Sequence, residues 1–427
     1  MSPHEPRALM SVEEYAAELL ALVAPDARVQ TVPLAPTVAA PGAPSPTPTN
    51  GRSPAAGRVL AEPVTSPIAV PPFANSAMDG YAVRGADATR VPVRLGVVAD
   101  VPAGSALDPG LASGTCARIM TGAPVPSAAD AVVPVEHTDG WHVPGESVVI
   151  RTAPAPGAHI RSAGEDLTAG DVVAAAGAVL TPGVIGALAA VGVCAVPVRP
   201  RPVVAVGATG DELVADGAPL ARGQIHESNA ALLGAALGRD GAQPLAGPPI
   251  PDAADALSAW LDAMAETCDL IVLTGGASVG TFDVVRDVLT AAGGVFRHVR
   301  MQPGKPQGHA RWQGVPVVAL PGNPVSAGLS YEVFVRPMLD RMLGRPGPRT
   351  GHARAGLGWR SPDGRRQLVP VTLATDADGR LVATPTHARG SASHLASALA
   401  GADGVAIVAE DATQVAPGDR VGVRWFG

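Results

Sequence analysis

A single lysine, Lys305, stands in a chain whose other basic side chains are arginine or histidine. It lies in Met301-Gln302-Pro303-Gly304-Lys305-Pro306. Arginine offers a planar, permanently charged fork, whereas the lysine ammonium is a compact point charge on a flexible stem, suited to a phosphate oxygen. A solvated lysine in a turn would look the same in isolation. Its company points to an anion. Three apolar runs, Val203–Val206, Leu270–Leu273 and Pro316–Leu320, each end in a Gly-rich polar loop. In the second loop Thr274, Gly275, Gly276, Ser278 and Gly280 would let backbone N–H groups approach a phosphate, with the next helix adding its positive end. A tight strand-to-helix turn explains the same residues, and neither the Walker nor the Rossmann glycine pattern is present. Pro321, Gly322, Asn323 and Pro324 form the third loop. Glu212, Asp252 and Asp283 lie near these loops. Carboxylates beside a phosphate site could hold Mg²⁺, and an aspartate before a helical run is also an ordinary N-cap.

A second group of polar residues sits in a β-rich stretch. Asn75–Val83 contains Asp79-Gly80, a hairpin signal, and Arg118–Pro124 reads as a loop. No Ser/His/Asp arrangement can be picked out, and the ten histidines lack metal-ligand spacing.

The elements that must position these residues follow from patterning. With 427 residues, the chain needs two to four domains. From 201 to 345, buried strands alternate with helical runs (Asn229–Leu237, Asp252–Ala265, Asp283–Ala292, and Pro324 to about Met342). This predicts a parallel sheet with crossover helices, whose ligands bind outside the carboxyl ends of the strands. Residues 74–166 form an inserted β domain. Residues 1–73 and 167–200 form an elongated scaffold, with 33–56 a disordered proline-rich insertion. Residues 350–427 form a C-terminal β barrel or sandwich. Ser11 and Glu14 read as a capping box opening a short helix to about Val23. Val172–Val198 lacks charge and is long enough to span a bilayer. Its glycines and prolines favour strand, helix and strand, with Thr181 as N-cap and Pro182 at the first position. The net charge of −7 argues against nucleic acid. Three distant cysteines, no secretory signal and no membrane span suggest a cytoplasmic protein.

Together these segments resemble the molybdopterin molybdenumtransferase family, including the homologous regions of gephyrin-type proteins. The matching segments are Asn75–Val83 (NSAMDGYAV), Arg118–Pro124 (RIMTGAP), Asp130–Glu136 (DAVVPVE), Arg161–Leu167 (RSAGEDL), Thr209–Leu213 (TGDEL), Leu273–Asp283 (LTGGASVGTFD), Pro303–Pro306 (PGKP) and Leu320–Ala327 (LPGNPVSA). The resemblance implies a four-part subunit and an elongated homodimer. Its cleft would lie between the molybdopterin-binding α/β domain of one subunit and the β domain of the other. It implies that adenylylated molybdopterin and molybdate react, with Mg²⁺, to give molybdenum cofactor and AMP. Asp79, Thr121, Glu212, Asp283 and Lys305 fall on positions that look catalytic. Arg161, Asp166, Asp252 and Ser391 join the glycine and proline loops as substrate contacts, and Glu212, Asp252 and Asp283 as magnesium ligands. Molybdopterin adenylyltransferase and molybdoenzymes are the implied protein partners.

Three departures stand out. Gln302 occupies a position where many members carry a second lysine, so that cationic contact is either missing or replaced by an arginine. Pro370 falls where an arginine upstream of Ser391 is implied. Pro41–Pro48 looks like an insertion. An adenylyltransferase sharing the α/β domain, or a cofactor-binding scaffold without transfer activity, are the rival readings. The first normally lacks the Asn75–Val83 domain.

Overall fold

The computed structural model describes residues 9–34, 53–215, 217–275, 283–387, 393 and 395–426. Two compact units result. One comprises residues 1–30, 57–61 and 197–427, the other 31–56 and 62–196. The proline-rich run 41–48 lies outside the described residues.

The first unit is organised by a six-stranded sheet. Its elements are β1 (Val203–Ala208), α1 (Asn229–Arg239), β2 (Gln243–Ala246), α2 (Ala254–Ala265), β3 (Leu270–Thr274), α3 (Val284–Ala291), β4 (Val295–His298), β5 (Pro306–Trp312), β6 (Val315–Leu320), α4 (Pro324–Ser330) and α5 (Arg336–Leu343). The strand order is β2-β1-β3-β6-β5-β4. The first four strands are mutually parallel, while β5 and β4 join antiparallel. The parallel core follows from the apolar runs, which have helices on both faces and so need no polar alternation. Val204, Val206, Leu270, Val272, Val318 and Leu320 point to one face, packing with Leu233, Leu237 and Phe334. Ala205, Ile271, Leu273, Val317 and Ala319 point to the other, against Leu257, Leu261, Val285 and Leu289. This split is the period-two geometry of a strand.

The helix Val12–Leu20 carries the capping box predicted at Ser11 and Glu14, and Tyr15 meets the Phe334 ring edge-on at 5.0 Å. Between α4 and α5 the helix widens into a π turn over Tyr331–Val335, then stops at Gly344 in left-handed conformation. The C-terminal part is a closed barrel. Arg366–Thr375 pairs with Leu381–Pro385, which pairs with Thr350–Ala355. That strand meets Arg420–Trp425, then Gly404–Val408, which returns to Arg366–Thr375. Met301–Gln302 adds a short parallel strand to the barrel beside Arg366–Gln367.

In the second unit a five-stranded sheet runs in the order Ala131–Pro134, Gly80–Val83, Thr115–Ile119, Val93–Val101, Ser147–Ile150. Asp79-Gly80 is not a hairpin turn. Strand Gly80–Val83 pairs with two strands distant in sequence. Gly80 is needed because a Cβ there would run into the Val133 carbonyl. Val172–Ala174, Pro182–Ala190 and Ala195–Val198 give the predicted strand, helix and strand, with Thr181 accepting from the Val184 N–H. Among the described residues no helix is long and apolar enough to cross a membrane.

Candidate functional site

The carboxyl ends of β1, β3 and β6 converge on a cavity of about 430 Å³. Thr209, Glu212, Thr274, Gly275 and Pro321–Pro324 line it from the strand tips, and Glu227, Ser228, Asn229 and Pro306 from other segments. The tips hold one another in register. The Thr209 N–H donates to the Thr274 carbonyl at 3.0 Å. Gly275 has φ +91°, and a Cβ there would stand 2.6 Å from the Thr209 carbonyl oxygen, so glycine alone fits both the conformation and the space. A Cβ on Gly322 would lie 3.3 Å from the Gly275 Cα, bringing the second and third loops into contact.

The start of α1 forms another wall. Glu227 accepts from the N–H groups of Asn229 (2.6 Å) and Ala230 (3.0 Å), capping the helix. The Asn229 amide nitrogen donates to the Gly322 carbonyl at 2.7 Å. Glu227 and Asn229 were missed in the sequence. The only signal was the polar Glu-Ser-Asn run at a helix start, and their role depends on a loop far along the chain.

Three carboxylates cluster at the tip of β1. The Glu212 carboxylate folds back over Gly210, where a Cβ would meet its oxygens at 2.6 and 2.7 Å. Asp211 and Asp252 exchange bonds from backbone N–H to carboxylate at 3.1 and 3.4 Å. Burial raises the Asp252 carboxyl, and the charges of Asp211 and Glu212 raise it further. Asp252 is not a helix cap, because Ala253 holds that position. Asp283 is one. Its Oδ1 accepts from the Arg286 N–H at 3.0 Å at the start of α3. Gly276, Ser278, Gly280 and Ser391 lie outside the described residues. Two positions further along the chain, Ser393 accepts from the Asn323 amide at 3.1 Å.

Lys305 precedes Pro306, which lines the cavity. Its carbonyl accepts from the Val299 N–H at 2.8 Å. Its side chain is half-buried and makes no ion pair among the described residues. At Gln302, the side-chain oxygen accepts from Arg365 at 3.3 Å, so an arginine does stand beside that position. Pro370 sits within the barrel strand, its carbonyl accepting from the Thr386 N–H at 3.0 Å.

In the other unit the structure brings Asp79 and Thr121 together. The Asp79 Oδ1 accepts both the Thr121 N–H and its hydroxyl at 2.7 Å. The backbone bond first, and then the hydroxyl, hold the Asp79 carboxyl below its usual range. Arg161 pairs with Asn75 across a two-residue ladder, and the Asp166 N–H donates to the Val70 carbonyl at 2.9 Å. Both side chains are exposed.

Three family models match in order along the chain. They are described as the MoeA N-terminal region (domain I and II), over 10–192, a probable molybdopterin binding domain, over 205–341, and the MoeA C-terminal region (domain IV), over 352–426. The chain belongs to the molybdopterin molybdenumtransferase family. Molybdopterin molybdenumtransferase 2 of Mycobacterium tuberculosis is 44% identical over 86% of this chain and 92% of that protein. The Bacillus subtilis molybdopterin molybdenumtransferase is 35% identical over 77% of this chain and 78% of that protein. Among solved structures, a molybdopterin biosynthesis moeA protein from Pyrococcus horikoshii superposes with TM-score 0.82 at 25% identity, covering 98% of this chain and 100% of that one.

The family implies Mg²⁺. Among the described residues no three His, Cys, Asp or Glu side chains form a metal-ligating group. Mg²⁺ is commonly held by only one or two carboxylates, with substrate phosphates completing its shell. Glu212 and Asp252 suit that arrangement, since a cation would offset the burial that raises Asp252 and the repulsion from Asp211 and Glu212 that adds to it.

Proposed function

We propose that this chain transfers molybdenum from molybdate to adenylylated molybdopterin, releasing AMP and forming molybdenum cofactor. The supporting observation is the cavity where three parallel strand tips, the α1 start and Pro306, the residue after Lys305, meet. A phosphoanhydride needs backbone donors, a cation and room for a flat ring; the cavity offers the strand-tip loops and the room, and Lys305 stands one residue from its lining. In this reading the loop running from Thr274 and Gly275 through Gly276, Ser278 and Gly280 receives the phosphate groups. Lys305 offsets their charge. Pro321, Gly322, Asn323 and Pro324 bound the pterin, and Ser391 completes the oxyanion contacts.

Glu212, Asp252 and Asp283 would hold Mg²⁺, and Asp283 also caps α3. When bound, the ion supplies neutralisation of the pyrophosphate. Asp79 and Thr121 act as a pair that orients substrate or a water, with Arg161 and Asp166 contributing polar contacts. The protein is a cytoplasmic homodimer that meets molybdopterin adenylyltransferase and molybdoenzymes as sources and recipients of its small molecules.

The decisive experiment incubates the protein with adenylylated molybdopterin, molybdate and Mg²⁺, then assays AMP and active cofactor. AMP release that depends on molybdate supports the reading. Tight binding without AMP release overturns it in favour of a scaffold. AMP incorporation from ATP into molybdopterin overturns it in favour of an adenylyltransferase. Sedimentation at the mass of one chain would remove the dimer.

A further inference from the structure

We propose that Gln307 and Ser330 are positioning residues for Lys305. The inference rests on the reading of Lys305 as the cation of the cavity. Gln307 is the second residue of β5 and is completely buried, as is Ser330 at the end of α4. The Gln307 amide nitrogen donates to the Gly304 carbonyl and to the Ser330 hydroxyl, both at 2.7 Å. Gly304, directly before Lys305, has φ +101°. A Cβ there would lie 2.9 Å from both the Met301 methyl and the Ser330 hydroxyl oxygen. Only glycine therefore lets this turn close over Gln307.

The turn is held on both sides of the peptide bond that matters. Gln307 takes the Gly304 carbonyl, and the Val299 N–H takes the Lys305 carbonyl. The far end of the clamp leads back to the cavity. Ser330 closes the helix that begins at Pro324, and Pro324 lines the cavity wall. One amide thus links the backbone carrying Lys305 to the helix bounding the substrate space. The arrangement has a cost. The Gln307 side-chain oxygen is buried without a hydrogen-bond partner among the described residues, and a leucine would avoid leaving it so. A buried polar group kept in that condition points to a task other than stability. Fixing a charge against its substrate is such a task, because a small misplacement of a positioned group is expensive in rate.

The sole lysine makes the test selective. With isotope-labelled lysine, the side-chain spectrum of the whole protein comes from Lys305. Spectra and steady-state kinetics are compared for the native protein, Gln307→Leu, Ser330→Ala, Lys305→Ala and the double variant Lys305→Ala/Gln307→Leu. Gln307→Leu should shift the lysine resonance and lower kcat/KM for adenylylated molybdopterin by about ten- to a hundredfold. On the Lys305→Ala background the same change should cost less than about twofold, since the partner it acts through has gone. A lysine resonance unmoved in folded Gln307→Leu overturns the proposal, as does a full kinetic penalty persisting without Lys305. If Gln307→Leu does not fold, Ser330→Ala is read by the same two criteria. If the native protein shows no molybdenum transfer, the functional reading fails by itself, and the resonance shift alone decides the positioning.

Discussion

Two carboxylates without an ion pair among the described residues are pulled in opposite directions by their surroundings. Asp79 is lowered by the N–H and hydroxyl of Thr121. The stability it contributes is present above its unfolded value and lost as pH falls through the lower folded value. Asp79→Asn should therefore destabilise near neutral pH and matter less in strong acid, as thermal melts across pH would register. Thr121→Ala should return the Asp79 carboxyl towards its ordinary range in a carbon-detected titration. Asp252 is raised by burial and by Asp211 and Glu212. Its protonated form is favoured by folding, so that contribution is full below the unfolded value and lost as pH rises through the folded one. Asp252→Asn should raise the melting temperature near neutral pH, with the gain fading in acid. The native protein should also gain thermal stability from Mg²⁺ that Asp252→Asn does not. Glu212→Gln and Asp283→Asn test the magnesium assignment through turnover. Asparagine caps a helix about as well as aspartate, so lost activity in Asp283→Asn cannot be ascribed to a frayed α3. Unchanged turnover in both variants would dismiss the assignment.

At the level of elements, local chemistry was legible where a residue and its neighbours decide the outcome. The Ser11 capping box, the Thr181-Pro182 helix start and the Asp283 cap are short-range bonds, and all three form. The strands of the parallel core were legible because burial on both faces requires a continuous apolar run. β4 and β5 were not. Their residues include Arg297, His298, Gln307, His309 and Arg311, which leave no continuous apolar run, and antiparallel pairing of β4 with β5 and of β5 with β6 is what gives them a sheet. Asp252 shows how far spacing reaches. Its distance from a helical run suggested a cap, but burial and two neighbouring carboxylates govern it instead. The meeting of Thr209 with Gly275 is likewise invisible along the sequence, though each loop announces itself. Gly275→Ala would place a methyl group against the Thr209 carbonyl at a φ that L-residues avoid. A loss of about 1–3 kcal/mol in denaturant unfolding, with substrate binding abolished, is the expected result. Full stability and binding would show that the loops separate easily.

Across the molecule, the larger unit is tied together by charges inside it. Glu332 accepts from Arg239 at 2.6 Å and from Arg336 at 2.9 Å, and Asp240 accepts the Tyr331 hydroxyl at 2.7 Å. Arg336 also donates to the Trp425 carbonyl of the barrel at 3.0 Å, and Arg424 of the barrel donates to the Glu332 carbonyl at 2.6 Å. Glu332, Asp240 and Arg336 are buried. Charged residues on a helix ordinarily suggest a wet face, so this network could not be read from sequence. Glu332→Ala would leave Arg239 and Arg336 only Asp240 as a carboxylate partner, at 2.6 and 3.8 Å, and should cost about 1–3 kcal/mol in denaturant unfolding. A single unshifted transition would deny the network that role. The two-residue strand Met301–Gln302 also bears on how the protein can be dismantled. It is hydrogen-bonded to the barrel and leads directly into the turn bearing Lys305. Anyone trimming the chain to the α/β module by cutting after residue 345 would remove one of the moorings of the turn that carries its sole lysine. Such a fragment would retain the strand-tip loops and the Gln307 bond yet lose the strand pairing that precedes the turn, so modularity here ends short of the apparent seam.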